Sequence, residues 1–201
     1  MSSTNRGYER HKTDYYVTPH KPIKDFLAHF LSDCQNNIIT DHLNIADRPD
    51  RLMWLDPCAG GDKENAMSYP AVLNECFGVT PDTIDIRTDS LAEIKADYLT
   101  HTLDYQPNVI ITNPPFFLAK EIILKALNDV SENGYVAMLL RLNFFGSKER
   151  QSFFEDRMPI LTYVHSRRFS FTPDKKTDSI EYMHAVWQKG NYPRHTKLTI
   201  I

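Results

Sequence analysis

The segment Ile110-Ile111-Thr112-Asn113-Pro114-Pro115-Phe116 combines residue types that could bind a planar group through its amine. An apolar strand is predicted to run directly into two prolines, which have no backbone N–H and a fixed φ. Neither a helix nor a strand partner is therefore expected to use the Pro114 carbonyl. This carbonyl and the Asn113 side-chain oxygen would accept both hydrogens of an NH₂ group and localise its lone pair for attack, with the Phe116 ring stacked beside it. A proline-rich turn without a ligand is the alternative, but it does not explain the flanking asparagine and aromatic ring.

A second candidate site follows the first predicted strand, in the loop Asp56-Pro57-Cys58-Ala59-Gly60-Gly61-Asp62. Two adjacent glycines allow a tight turn and let the backbone approach a ligand closely. The loop is not G-x-G-x-x-G, and no Gly-Lys-Ser/Thr follows, so a phosphate cradle is poorly supported. We expect a ligand that has an amino-acid end and no phosphates, with Asp56 facing its ammonium. A glycine turn that binds nothing is the other interpretation.

Two further carboxylates are candidates for contacts with a nucleoside. Asp85 follows the second predicted strand, where nucleotide-binding α/β folds place an acid against ribose hydroxyls. Asp97 precedes Tyr98 and could accept a hydrogen bond from an exocyclic amine, although a solvated loop residue would look the same.

Alternating strands and helices are expected to position these residues. Apolar runs predict strands at 52–55, 83–86, 108–112 and 135–140. Amphipathic spacing predicts helices near 21–34, 63–77, 89–95 and 118–131. This alternation is typical of a mostly parallel sheet covered by helices, which binds ligands at the carboxyl ends of its strands. The last two apolar runs, 160–164 and 182–187, have no helix between them and predict an antiparallel hairpin.

Composition is consistent with one globular domain. The chain has 201 residues, of which 41% are hydrophobic and 24% charged, with a formal net charge of −3. That charge excludes a globally basic nucleic-acid coat but permits a local basic rim. Three cysteines without a C-x-x-C pair, histidines without metal-ligand spacing, and no apolar run of membrane length indicate no disulfide scaffold, no metal and no membrane span. We expect residues 1–14 to be a flexible arm.

The two loops together resemble the amino-methyltransferases that use S-adenosylmethionine. The likeness is greatest to the small, phage-type (Dam-like) DNA N6-adenine methyltransferases, and it extends over residues 16–187, with Tyr16-Val17-Thr18-Pro19 as the first motif. It implies a Rossmann-like class I α/β fold: a mostly parallel seven-stranded sheet that ends in an antiparallel hairpin, with helices on both faces. It also implies a single catalytic domain over residues 15–201, without a separate target-recognition domain.

The resemblance assigns a role to each matched residue. The catalytic residues would be Asn113, Pro114, Pro115 and Phe116. The cofactor S-adenosyl-L-methionine would be bound by Tyr16, Thr18, Pro19, Asp56, Pro57, Cys58, Gly60, Asp85, Asp97, Tyr98 and Asn113. The matched motifs would bind the substrate through Phe116, Arg168, Phe169 and Phe171, and we add Arg141, Asn143 and Lys148, which follow the fourth predicted strand. Phe171 is the preferred second aromatic against a flipped base, and Phe169 is the fallback.

The implied reaction is methyl transfer to N6 of adenine in DNA, with short or relaxed sequence specificity, in the cytoplasm of a bacterial or phage-infected cell. Cationic residues after the strands would form a rim that contacts phosphates. They are Arg141, Lys148, Arg150, Arg167, Arg168, Lys175 and Lys176. Two alternatives stay open: methylation of an adenine or guanine amine in RNA, and an inactive binding subunit that keeps the fold.

Overall fold

The computed structural model describes residues 16–170 and 179–201. The predicted flexible arm, residues 1–14, lies outside the described residues, as do Phe171, Lys175 and Lys176.

The described residues form helices and strands in alternation. The helices are α1 (His20–Gln35), α2 (Ser68–Phe77), α3 (Ala119–Asp129) and α4 (Gln151–Asp156). The strands are β1 (Trp54–Asp56), β2 (Asp82–Asp85), β3 (Ile94–Lys95), β4 (Val109–Thr112), β5 (Tyr135–Arg141), β6 (Leu161–Val164), β7 (Tyr182–Gln188) and β8 (Lys197–Ile200). No helix of the described residues is long and apolar enough to cross a membrane.

The strands form one sheet in the order β3-β2-β1-β4-β5-β7-β6-β8. Neighbours from β3 to β5 pair in parallel, whereas β7 lies antiparallel to both β5 and β6. The predicted fold class is therefore confirmed: a mostly parallel sheet that includes a C-terminal antiparallel hairpin. The sheet has eight strands where the resemblance implied seven; β3 and β8, which pair with β2 and β6 at the two edges, were not among the predicted strands.

The predicted helix at 89–95 is wrong. Side chains capture the backbone N–H groups that a helix would use: the Ser90 hydroxyl accepts from Ala92, and the Thr83 hydroxyl accepts from Glu93, both at 2.9 Å. Such local bonds compete with helix formation. The segment instead makes turns and adds the short strand β3, in which Ile94 pairs with Ile84 of β2.

Helices cover both faces of the sheet, as predicted. Strand β4 is buried on both sides, with Val109 and Ile111 packed in the cluster that includes α1, and Ile110 packed in the cluster that includes α3. Central strands of parallel sheets are apolar on both faces for this reason.

A buried polar chain crosses the layer between the sheet and helices α1 and α2. The Tyr69 hydroxyl lies 2.9 Å from Nε2 of His184, and Nδ1 of His184 lies 2.7 Å from Nε2 of His165. Phe26 of α1 stacks on the His184 ring at 4.2 Å between centroids. Burial lowers the pKa of His165 to about 4 and holds the pKa of His184 well below its usual value. Both imidazoles are thus neutral at pH 7.

These histidines predict a loss of stability in acid. In the unfolded chain these imidazoles take up protons below about pH 6.5, whereas in the folded protein His165 does so only near pH 4. His165 should therefore cost about 2 kcal/mol of unfolding free energy between pH 7.5 and pH 5. His184, whose pKa is lowered in the same direction, adds to this loss. Urea unfolding at pH 7.5 and pH 5 measures this, and His165→Gln should reduce the loss by one imidazole's share. An identical pH dependence in the variant would contradict the burial argument.

Candidate active site

A pocket opens where the loops after β1, β2 and β4 meet, as expected for the carboxyl ends of parallel strands. The predicted cofactor residues that line it are Tyr16, Thr18, Pro57, Cys58, Gly60, Asp85, Asp97, Tyr98 and Asn113. Pro19 and Asp56 do not line it. The lining also includes residues that were not predicted, among them Gly61, Tyr69, Ile86 and Arg87.

The loop after β1 turns through two consecutive glycines in left-handed conformations. Gly60 has φ +67° and Gly61 has φ +73°. A Cβ on Gly61 would lie 2.7 Å from Cγ of Met67, closer than packing permits. Both positions favour glycine, because a side chain at either would strain the left-handed backbone. At Gly61 it would also clash with Met67, the residue before α2.

The Asp85 carboxylate is fixed by this loop and by a neighbouring arginine. Its Oδ2 accepts the Gly60 N–H and its Oδ1 accepts the Arg87 N–H, each at 2.8 Å. The buried Arg87 guanidinium donates to the Gly61 carbonyl and lies 3.5 Å from Oδ1 of Asp85. A carboxylate has about four lone-pair positions, so Asp85 can still accept bonds from a ligand. Arg87 could have been suspected only from its place two residues after an acid at a strand end.

Asp56 lies beneath the loop rather than in the pocket. Its side chain is fully buried, and its Oδ1 accepts the Cys58 N–H at 3.2 Å. Burial raises the pKa of Asp56 to about 7, although the nearby Thr112 hydroxyl and the Cys58 N–H act in the opposite direction. We predicted that Asp56 faces a ligand's ammonium. In the structure its carboxylate is instead buried beneath the glycine turn and does not line the pocket.

Asn113 is oriented by a residue from the start of the described chain. Its Nδ2 donates to the Thr18 hydroxyl at 3.0 Å, across 95 positions of sequence. Within residues 16–170 and 179–201, no hydrogen bond reaches Oδ1 of Asn113 or the carbonyl of Pro114. The Thr18 hydroxyl thus accepts from the amide nitrogen of Asn113, and the amide oxygen is left to accept from a ligand.

The aromatic part of the site is a group of rings at the ends of β5 and β7. Phe116 is half-buried, and its ring centroid lies 5.9 Å from that of Tyr182. Tyr182 in turn stacks on Phe169 at 5.1 Å and 6°. Phe169 is only 3% exposed. In this arrangement Phe169 supports the ring of Tyr182 from the interior, a role that the sequence did not indicate.

The predicted substrate-binding polar residues do not form one cluster. Arg168 is exposed and pairs with Glu181 at 3.4 Å. Asn143 and Lys148 are exposed in the segment after β5. Lys148 lies with Arg194 and His195 along a separate groove whose apolar lining includes Phe145. Arg194 and His195 were missed because their proximity to Lys148 depends on where the chain returns beyond β7.

No protein-family model matches the chain, and no curated protein matches it in sequence. Solved structures match its fold. A Listeria monocytogenes protein, assigned as a class I S-adenosylmethionine-dependent methyltransferase, is 15% identical with a TM-score of 0.60, over 98% of this chain and 68% of that one. The methyltransferase subunit of a type I restriction-modification system from Streptococcus thermophilus is 13% identical with a TM-score of 0.62, over 92% of this chain and 47% of that one.

A third structure, from Pyrococcus horikoshii and assigned as an RNA methyltransferase, is 15% identical with a TM-score of 0.58, over 93% of this chain and 94% of that one. These likenesses establish the fold. The chain has the Rossmann-like architecture of class I S-adenosylmethionine-dependent methyltransferases. The narrower likeness to phage-type enzymes remains a prediction from the sequence.

The buried Asp56 predicts a second pH effect, opposite in sign to that of the histidines. Because its folded pKa is about 7 and its unfolded pKa 3.8, stability is lost as pH rises through this window. The unfolding free energy of Asp56→Asn, taken relative to that of the parent, should therefore rise by roughly 2–3 kcal/mol from pH 5 to pH 8. Urea unfolding of both proteins measures the difference. The exposed Asp50→Asn serves as the control and should show no such trend; a flat difference for Asp56→Asn would refute the raised pKa.

Proposed function

We propose that this protein transfers a methyl group from S-adenosylmethionine to N6 of adenine in DNA, with short or relaxed sequence specificity. The observation that carries the proposal is Asn113 at the end of β4, which lines the pocket that contains Asp85 and whose Oδ1 accepts no hydrogen bond within the described residues. The adjacent Pro114 is buried, and its carbonyl likewise accepts no hydrogen bond there. Action in the cytoplasm of a bacterial or phage-infected cell, on DNA and without a metal, is part of the same proposal.

The pocket residues fit the proposed cofactor by their chemistry. Asp85 has lone pairs left for ribose hydroxyls, and the turn at Gly60 and Gly61 lets the backbone approach an amino-acid end. Asp97 is exposed and uses Oδ1 for the Leu99 N–H, which leaves its other oxygen for an adenine amine. Ile86 is 63% exposed at the pocket and offers an apolar surface to a purine ring. The group that these residues would hold supplies a methyl already activated by its sulfonium.

The chain's own contribution is to present the amine. Asn113 and Pro114 would accept both of its hydrogens, so that the nitrogen lone pair points at the methyl. No general base is needed at the outset, because the nitrogen loses its proton only after it has gained the methyl. Thr18 acts here as a positioning residue, since its hydroxyl holds the Asn113 amide by its nitrogen and so fixes where Oδ1 lies.

Support for DNA comes from the sequence resemblance and from the restriction-modification subunit among the structures of similar fold. An adenine inside a duplex cannot reach Asn113, so the base must be flipped or already unpaired. The oxygens of Asn113 and Pro114 would also fit an adenine or guanine amine in RNA, and experiment decides between these substrates.

The test is mass spectrometry of nucleosides from DNA and RNA incubated with the protein and S-adenosylmethionine. We expect N6-methyladenine from DNA. Methylated nucleosides from RNA alone would replace the DNA assignment with the RNA alternative. No methylation of either, together with intact cofactor binding, would favour the inactive binding subunit.

Substitutions of Asn113 and Thr18 separate an effect on methyl transfer from an effect on cofactor binding. Asn113→Ala should reduce turnover by about 10³-fold or more while S-adenosylhomocysteine affinity stays within a few fold, since the lost acceptor acts on the amine. Thr18→Val should lower kcat by about 10-fold, and Thr18→Ser, which restores the hydroxyl, should recover most of it. Single-turnover kinetics and calorimetry measure the two quantities. Equal losses in Thr18→Val and Thr18→Ser would contradict the positioning role.

The glycine turn offers a matched pair of variants. Gly61→Ala combines a left-handed φ with a 2.7 Å approach to Met67, whereas Gly78→Ala has φ +66° and nothing within 4 Å. Both should lose about 1–2 kcal/mol of stability from the backbone alone. Gly61→Ala should in addition weaken S-adenosylhomocysteine binding by about 10-fold or more, because a displaced turn misplaces Gly60 and Asp85. Calorimetric titration that finds both variants equal to the parent would exclude the turn from the cofactor site.

A further inference from the structure

Arg141, the last residue of β5, covers the ring that is proposed to stack on the target base. Its guanidinium carbon lies 4.6 Å from the centroid of Phe116. Arg141 pairs across the sheet with Tyr182, whose ring also contacts Phe116. The planar guanidinium therefore covers the ring of Phe116, on which a planar base would be expected to stack.

This position leaves Arg141 poorly satisfied. Its Nε is buried and has no hydrogen-bond partner. Within the described ranges, 16–170 and 179–201, no carboxylate forms an ion pair with it, and the nearby Glu181 pairs with Arg168 instead. A buried donor without an acceptor is costly, so the side chain gains by moving to a better partner.

A second arginine in the same protein shows what a satisfied arrangement looks like. Arg150 lies over the Phe144 ring at 4.5 Å, nearly the same distance. Its Nε donates to the Phe144 carbonyl at 2.7 Å. The distance from guanidinium to ring is thus nearly equal in the two pairs, but in the pair at the proposed active site Nε of the arginine has no hydrogen bond.

We propose that Arg141 is a placeholder for the target base. In the free protein its guanidinium covers Phe116 and keeps the aromatic surface from open water. When a base enters, the guanidinium leaves the ring and binds a phosphate of the substrate, where its N–H groups find charged acceptors. This inference rests on the proposed function, since it takes the occupant to be a base of a nucleic acid.

The placeholder role predicts opposite effects on two ligands. Arg141→Ala should bind the free nucleoside 2-aminopurine deoxyriboside at least about 5-fold more tightly, because the ring no longer has to be uncovered. The same variant should bind a single-stranded oligonucleotide more weakly, with the slope of log affinity against log salt reduced by about one. Arg141→Lys, which keeps the charge but cannot stack as a plane, should gain nucleoside affinity and retain most of the oligonucleotide affinity.

Nucleoside binding is read by the quenching of 2-aminopurine fluorescence with S-adenosylhomocysteine present, so no turnover is needed. Arg157→Ala is the matched control: it removes an arginine from the Tyr192 ring at 4.5 Å, outside the proposed site, and should leave both affinities unchanged. Phe116→Ala added to Arg141→Ala should abolish the gain in nucleoside affinity.

Unchanged or weaker nucleoside binding in Arg141→Ala, or no nucleoside binding by any variant, would overturn the placeholder role. A failure of the proposed function is distinguishable, because it appears as the absence of methylated nucleosides in a separate assay.

Discussion

Parallel strands of one sheet end at one edge, and this constraint brings the candidate site together. The glycine turn follows β1, Asp85 is the last residue of β2, and Asn113 follows β4. None of these residues is close to another in sequence, yet the Gly60 N–H meets the Asp85 carboxylate at 2.8 Å. The order β2-β1-β4 in the middle of the sheet decides this, because it places the three loops side by side.

The sequence predicted those parts of the molecule that local chemistry determines. Apolar runs located the central strands, and two prolines after a strand located Oδ1 of Asn113 and the Pro114 carbonyl, which accept no hydrogen bond within the described residues. The helix at 89–95 failed because the hydroxyls of Ser90 and Thr83 accept hydrogen bonds from the backbone there, and Thr83 lies outside the segment, in β2. Strand β8 was missed since an edge strand with exposed side chains has no strong apolar pattern.

In the candidate site, too, local sequence predicted some features and tertiary packing decided the others. Residue types predicted which loops meet at the pocket, but not how each side chain is used. Asp56 was expected to face a ligand and instead stands buried below the loop, while Arg87 joins Asp85 to the turn. Both outcomes depend on the depth of a residue below the surface, and depth is set by tertiary packing rather than by the neighbouring sequence.

The hydrogen bond from Asn113 to Thr18 also bears on the order of assembly. Contacts between residues that are far apart in sequence carry a larger entropic cost of loop closure and tend to form late in folding. The 95 positions between these two side chains span α1, α2 and the first four strands. A chain that has built its sheet but not yet docked the segment around Thr18 would have a pocket without one wall and an asparagine free to turn either way. The Asn113 amide would thus be oriented only after the core is complete, through the segment that precedes α1.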